Sequence, residues 1–255
     1  MDIDIANLLM ISVVICIASI IQSSVGFAFA LFSTPILIWL GMTLPEAIIT
    51  IAICSFVQAL FGIGHLKDEI PWRLVGWATV VRSLFVLIGV WLLQVMTTLD
   101  PVYVKLVIGL VLSTLVVIQY YYKVHGLKKV PWPWGALAFS GSGILTGVVG
   151  MGGPPLVFWA LAHDWSTKKT RGFLFAAFAL TLPVQMPLMY MTFGSEIIVI
   201  SKGALYYVPA VLLGTYIGLP LGHAINKSLL RRLVQVILLL MGLSAVGQVI
   251  VEKLL

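Results

Sequence analysis

Charge is scarce in this 255-residue chain. Asp, Glu, Lys and Arg together make up 9% of it, and acidic residues number only nine, whereas soluble domains carry about 25% charged residues. Hydrophobic residues reach 61% and mean hydropathy is +1.11, which leaves no room for a large aqueous domain. The acids fall almost entirely in loops and termini. General acid–base chemistry at membrane depth, an acidic proton relay and a carboxylate sodium site therefore lack candidates. No His-Glu-x-x-His occurs, and no histidine stands at membrane depth to partner Ser140 or Ser142 as an intramembrane serine protease requires. A non-enzyme with no cofactor and no metal is expected. The two cysteines, Cys16 and Cys54, lie inside apolar runs and read as reduced packing residues. Residues 1–6 hold Asp2 and Asp4 but no basic residue. A signal peptide starts positive, so the first apolar run is expected to be retained. The net charge of +6 sits in short loops, as the positive-inside rule predicts, so nucleic acid is not an expected partner.

What is present is long apolar sequence. Runs span about residues 5–40, 47–64, 74–96, 102–122, 134–162, 172–193, 203–224 and 229–251. The first, as one straight helix, would exceed about 50 Å, against a hydrocarbon core of about 30 Å. It must break, and Gln22-Ser23-Ser24-Val25-Gly26 is the place, with Pro35 beyond. The run at 134–162 breaks more plainly, with Gly147, Gly150, Gly152, Gly153, Pro154 and Pro155 crowded together. Glycine inside a helix costs about 1 kcal/mol relative to alanine, and proline about 3. A helix should end near Gly150 and another begin with the prolines in its first turn, where a missing N–H costs nothing. Open backbone survives in lipid only when buried in protein or lining a wet cavity.

The fold class is an all-α polytopic membrane protein, a single transmembrane domain over residues 1–255. Two tandem repeats, about 5–122 and 134–251, flank a basic linker at 123–133. Each repeat is a broken or re-entrant helical run followed by three spanning helices. At an offset of about 124 residues, Gly26 falls on Gly150 and Phe27 on Met151. If each broken run goes in and comes back, all four basic loops fall on one side, and the repeats are inverted, five crossings each. If each broken run crosses once, there are eight spans.

Gln22-Ser-Ser-Val-Gly-Phe-Ala-Phe with Pro35, and Thr146-Gly-Val-Val-Gly-Met-Gly-Gly-Pro-Pro-Leu, together resemble the sulfite exporter TauE/SafE family of membrane permeases. The likeness covers nearly the whole chain. The second motif is a close match, whereas Ala28, Phe29 and Ala30 stand where many members have glycine. The resemblance implies an anion transporter, most often of sulfite, organosulfonates or related organosulfur anions, in the cell membrane, with a bacterial inner membrane expected. A carrier of small carboxylate-type anions, or an anion channel, is the alternative. Expected partners are the small anion and the lipid bilayer, with a homodimer left open.

The residues point to an anion site on their own terms. Helix N-termini expose unpaired N–H groups and attract anions. Gly26, Phe27, Gly150, Gly152, Gly153 and Pro154 form the breaks that would aim such ends inward; tight helix packing is the alternative use of the glycines. Arg82, about two turns inside an apolar run, is either an anion counter-charge or a snorkelling arginine. Gln22, Ser24 and Thr146 lie at the breaks, to bind oxyanion oxygens or to satisfy freed backbone. Gln58 and Gln185 are mid-span, facing a cavity or bonding between helices. His65, His163 and Arg171 read as loop residues. Trp132, Trp134, Trp159 and Trp165 read as interfacial anchors. Gly214, Gly218 and Gly222 read as a packing ladder.

Overall fold

The computed structural model describes residues 5–99, 110, 114 and 130–224, and among these every regular element is helical. The expected spans at 102–122 and 229–251, and most of the basic linker, lie outside the described residues. The helices are α1 (Ile5–Val25), α2 (Phe29–Trp39), α3 (Leu44–Leu66), α4 (Trp72–Met96), α5 (Trp132–Val149), α6 (Gly153–Leu161), α7 (Thr167–Phe193), α8 (Glu196–Ala204) and α9 (Val208–Ala224). Single 3₁₀ turns follow α3 and join α8 to α9. Among the described residues, five stretches are long and apolar enough to cross a membrane: α1, α3, α4, α7 and the continuous run from Glu196 to Leu221.

Both long runs break where glycine and proline demand it. α1 stops before Gly26 (φ 94°), and Ala28 (φ 86°) precedes α2. α5 stops at Gly150 (φ 72°), whose left-handed backbone caps the helix: its N–H donates to the Thr146 carbonyl and the Met151 N–H to the Leu145 carbonyl. The αL conformation is the one glycine supplies without a Cβ penalty. α6 then begins with its prolines in the first turn, as the sequence predicts. The short helices have 11 and nine residues, about 16 and 13 Å at 1.5 Å per residue, roughly half a hydrocarbon core.

Glycine decides which helices lie side by side. α4 runs along α5, and α1 along α9. A Cβ at Gly89 would overlap the Ile144 carbonyl oxygen, and one at Gly143 would overlap the Arg82 carbonyl. On the other side, a Cβ at Gly214 would overlap the Cys16 carbonyl, and one at Gly218 would come within 2.6 Å of the Ile20 carbonyl. These backbones touch, which is how small residues hold membrane helices together. α3 packs against α1 and α9, α7 packs against α4, and α3 and α7 pack on each other, joining the two pairs. The outer faces of α1 and α4 turn Leu9, Val13, Leu84 and Trp91 outward, each more than half exposed. In water that would be a liability; in lipid it is the expected surface.

Three sequence expectations change here, the first being His65, which lies in the last turn of α3 and not in a loop. Arg171 is not a loop residue: it sits in α7 and is 3% exposed. Its guanidinium donates through Nη2 to the Ser23 carbonyl at the end of α1. A charge run, Lys168-Lys169-Thr170-Arg171, reads as a loop, but a Ser166 cap on the Lys169 amide starts the helix ahead of it. Trp159 is not an interfacial anchor either. It is 6% exposed and packs edge-on to Phe139 at 4.8 Å. Trp132 and Trp134 are about half to two-thirds exposed, as an interfacial belt requires.

Candidate substrate site between the two helix breaks

The breaks meet. Ala28–Leu31 of the first and Gly150–Gly153 of the second line one cavity of about 70 Å³, together with Gln22, Arg82, Thr146 and Gln185. A single buried water needs about 10–15 Å³ of such space, so roughly five water-sized groups fit. Arg82 lies about ten residues into α4, or ~15 Å along its axis, near the middle of a bilayer of that span. The remaining wall is largely apolar, with Ile48, Ile51, Phe56, Phe178 and Leu182.

Arg82 is 1% exposed. It does not snorkel. Nε donates to Ser142 Oγ at 2.9 Å, Nη1 to the Ala177 carbonyl at 2.6 Å and to Thr181 Oγ1 at 2.8 Å, and Nη2 to Thr146 Oγ1 at 3.2 Å. Phe178 faces the guanidinium, 5.3 Å from ring centroid to Cζ, a favourable site for a cation. The three hydroxyls are themselves fixed. Ser142 Oγ donates to the Gly152 carbonyl, Thr146 Oγ1 to the Ser142 carbonyl at 2.7 Å, and Thr181 Oγ1 to the Ala177 carbonyl at 2.7 Å. Each spends its proton on backbone and turns a lone pair to the arginine. No carboxylate lines the cavity among the described residues. A buried cation without a counter-charge is costly, and the hydroxyl collar offsets only part of that cost.

The same collar explains Gly152. A Cβ there would overlap Thr146 Oγ1 outright and lie 2.5 Å from the Ser142 carbonyl oxygen. At Gly153 the nearest atom to a Cβ would be Phe178 Cζ at 3.9 Å. Gly152 is therefore required by the arginine's support, whereas Gly153 leaves the α6 N-terminus open.

The two N-terminal ends differ. In α6, Pro154 and Pro155 have no N–H, which thins the donor set to Gly153 and Leu156 in the first turn. In α2, the Phe29 amide donates to Gln22 Oε1 at 3.2 Å, and the Ala30 and Leu31 amides have no backbone acceptor among the described residues. Gln22 is 3% exposed and its Nε2 has no partner.

The structure thus brings Gln22, Gly150, Gly152, Gly153, Arg82, Thr146 and Gln185 together at the cavity. Five other candidates lie off it. Gly26 packs on the Arg171 stem, its Cβ position 3.0 Å from Cγ. Phe27 is buried in the core, and Pro154 is buried behind the opening of α6. Ser24 Oγ donates to the carbonyls of Ile20 and Gly218, at 2.8 and 3.0 Å, satisfying backbone where α1 meets α9. Gln58 Nε2 donates to the Ser19 carbonyl and to Ser23 Oγ, at 2.8 and 2.6 Å, an interhelical bond. Ser142 and Thr181 were missed. Ser142 and Thr146 stand one turn apart on one helix face, a spacing that would have marked the collar.

Away from the cavity, His163 caps the end of α6. Its Nδ1 sits 2.9 Å from the Trp159 carbonyl oxygen, and its ring contacts both Trp159 and Trp165, with centroids at 4.3 and 4.5 Å. Burial lowers its pKa, the Lys169 ammonium pushes the same way, and the hydrogen bond to Trp159 opposes both.

Among the described residues, five helices long and apolar enough to span a membrane, two half-length helices and a cavity holding a buried arginine mark a multi-pass helical membrane protein. A sequence model of the sulfite exporter TauE/SafE family matches residues 11–245, and the chain belongs to that family of membrane transporters. No curated protein and no solved structure matches the chain.

Proposed function

We propose that this protein is a cell-membrane carrier of small anions, sulfite or organosulfonates in the first place, and that the cavity between the breaks is its substrate site. The observation that carries this is Arg82: a fully buried cation at a cavity without a carboxylate. An anion in that cavity supplies the missing counter-charge. The free Ala30 and Leu31 amides and the unpartnered Gln22 Nε2 offer it hydrogen bonds. Export is the proposed direction, because an inside-negative potential favours anion efflux by about 2.3 kcal/mol per charge per 100 mV.

An inverted pair of repeats suits this reading. In such a pair, exchanging the halves would relate the α4–α5 packing to the α9–α1 packing. Gly89 meets Ile144 and Gly147, and Gly218 meets Ile20 and Ser23. Residues 20 and 144, like 23 and 147, stand 124 apart, the offset that also superposes Gly26 on Gly150, while Gly89 and Gly218 stand 129 apart. Broken helices from two inverted halves that meet at mid-membrane are a recurring carrier plan.

The test is thermal stabilisation of purified protein by sulfite, sulfate, sulfoacetate, taurine, lactate and acetate, run beside Arg82→Gln. Stabilisation by sulfite or a sulfonate, lost in a folded Arg82→Gln, is the expected result. Response to lactate or acetate alone moves the reading to carboxylates. No response from folded wild-type protein removes the anion site.

A further inference from the structure

Resting on that reading, we infer that the cavity takes its substrate as a compact, singly charged oxyanion, so that sulfite enters as hydrogen sulfite and its dianion is excluded. The charge balance carries this. Arg82 is the one ionisable side chain lining the cavity among the described residues. α1 contributes Gln22, α2 Phe29–Leu31, α3 Ile48–Phe56, α5 Thr146 and α7 Phe178–Gln185, none of these lining groups charged. The buried titratable groups nearby face elsewhere: Arg171 holds the Ser23 carbonyl, and Cys54 and Tyr207 share a separate core cluster. One cation and one monoanion make a neutral site. A dianion would leave a net negative charge in a largely apolar enclosure at membrane depth, where an unpaired charge is severely penalised.

The donor inventory agrees. A guanidinium has five N–H donors, and Arg82 spends one from Nε, two from Nη1 and one from Nη2 on the protein. A single Nη2 hydrogen is left for a ligand. The hydroxyls of Ser142, Thr146 and Thr181 donate to carbonyls and have none to give. The bidentate fork by which arginine grips multiply charged oxyanions is therefore closed. What remains is a fixed charge, the side-chain amides of Gln22 and Gln185, the Ser55 hydroxyl and a few backbone amides beside apolar surface. That suits an anion with one charge and one face that needs no donor, a protonated oxygen or a methyl group. At about 70 Å³ the cavity admits a tetrahedral centre with its substituents.

Methanesulfonate and sulfate separate charge from size, since they differ by a methyl group in place of one ionised oxygen. Binding of both, and of sulfite, to purified wild-type protein would be measured by calorimetry from about pH 6 to about pH 8.5. Methanesulfonate should bind with the same affinity throughout. Sulfate should bind at least about a hundredfold more weakly. Affinity for total sulfite should fall about tenfold per pH unit once its dianion predominates, because one proton is then taken up on binding. Sulfate binding as tightly as methanesulfonate, or a sulfite affinity that is flat or rises with pH, overturns the inference and leaves the anion site standing. No binding of methanesulfonate or sulfite by folded protein overturns both.

Discussion

Gly152 and Gly153 are adjacent, yet alanine should have opposite effects at the two positions. Neither has a positive φ, so backbone conformation does not forbid the change, and alanine would gain up to about 0.5–1 kcal/mol where the residue is helical. At Gly153 a Cβ has nothing nearer than 3.9 Å, and Gly153→Ala should be neutral or stabilising. At Gly152 it overlaps Thr146 Oγ1. Turning Thr146 aside does not help, because the Ser142 carbonyl oxygen, 2.5 Å away, is backbone. Overpacking costs about 1–3 kcal/mol. Moving Thr146 also breaks its bond to the Arg82 guanidinium, worth about 1.5–3 kcal/mol when the partner is charged. Gly152→Ala should therefore lose roughly 2–5 kcal/mol, or about 4–20 °C at ~2–4 °C per kcal/mol for a chain of this size. The assay is thermal unfolding in detergent, with and without a stabilising anion, on both variants. Equal melting temperatures for Gly152→Ala and wild type, or equal damage at Gly153, would refute the packing argument.

Three more substitutions follow from the same coordinates. Ala28 holds a left-handed φ of 86°, which costs an L-residue about 1–2 kcal/mol; after glycine's entropy penalty of about 0.5–1 kcal/mol, Ala28→Gly should raise the unfolding midpoint slightly, and a fall would show that the Ala28 methyl packs more than it strains. Gly147→Val should separate α4 from α5, since even a Cβ comes within 2.6 Å of Gly89 C; monodisperse, wild-type-like protein in size-exclusion chromatography would contradict that, with Gly203→Ala, whose Cβ meets open space, as the control. The His163 pKa is lowered in the folded state, so the unfolded chain binds the proton more readily. Stability should be full above about pH 6.5, the ordinary imidazole value, and decline as pH falls from there through the lowered folded value. His163→Gln should flatten that part of the stability profile, and an unchanged slope would assign it to another group.

The helix breaks were legible because glycine and proline act locally. Gly150 and the Pro154-Pro155 pair determine a cap and a first turn without help from the rest of the chain. Side-chain fates at the breaks were not, because they depend on what crosses from other helices. Ser24 turned to Gly218, 194 residues away, and Gln58 to Ser19 and Ser23. Arg82 was open between two readings on sequence, since its long stem reaches either an interface or a cavity; Ser142, Thr146 and Thr181 decide it, and they come from two other helices. Arg171 was misplaced for the opposite reason: three cations in four residues look solvated, and only the Ser23 carbonyl at the end of α1 draws the last one inward.

The pairing of α1 with α9 bears on the order of assembly. A chain that enters the membrane from its N-terminus places α1 in lipid long before α9 is made. Until then the groove that Gly214 and Gly218 fill, over Cys16, Ser19, Ile20 and Ser23, has no occupant. Gln58 can tie down Ser19 and Ser23 early, from within the same half. The bond from Ser24 to Gly218 cannot form until nearly the whole described chain has been synthesised. Closing such a distant contact is slow relative to local helix packing. The N-terminal half is thus not a self-sufficient unit: its first helix is completed by almost the last one described.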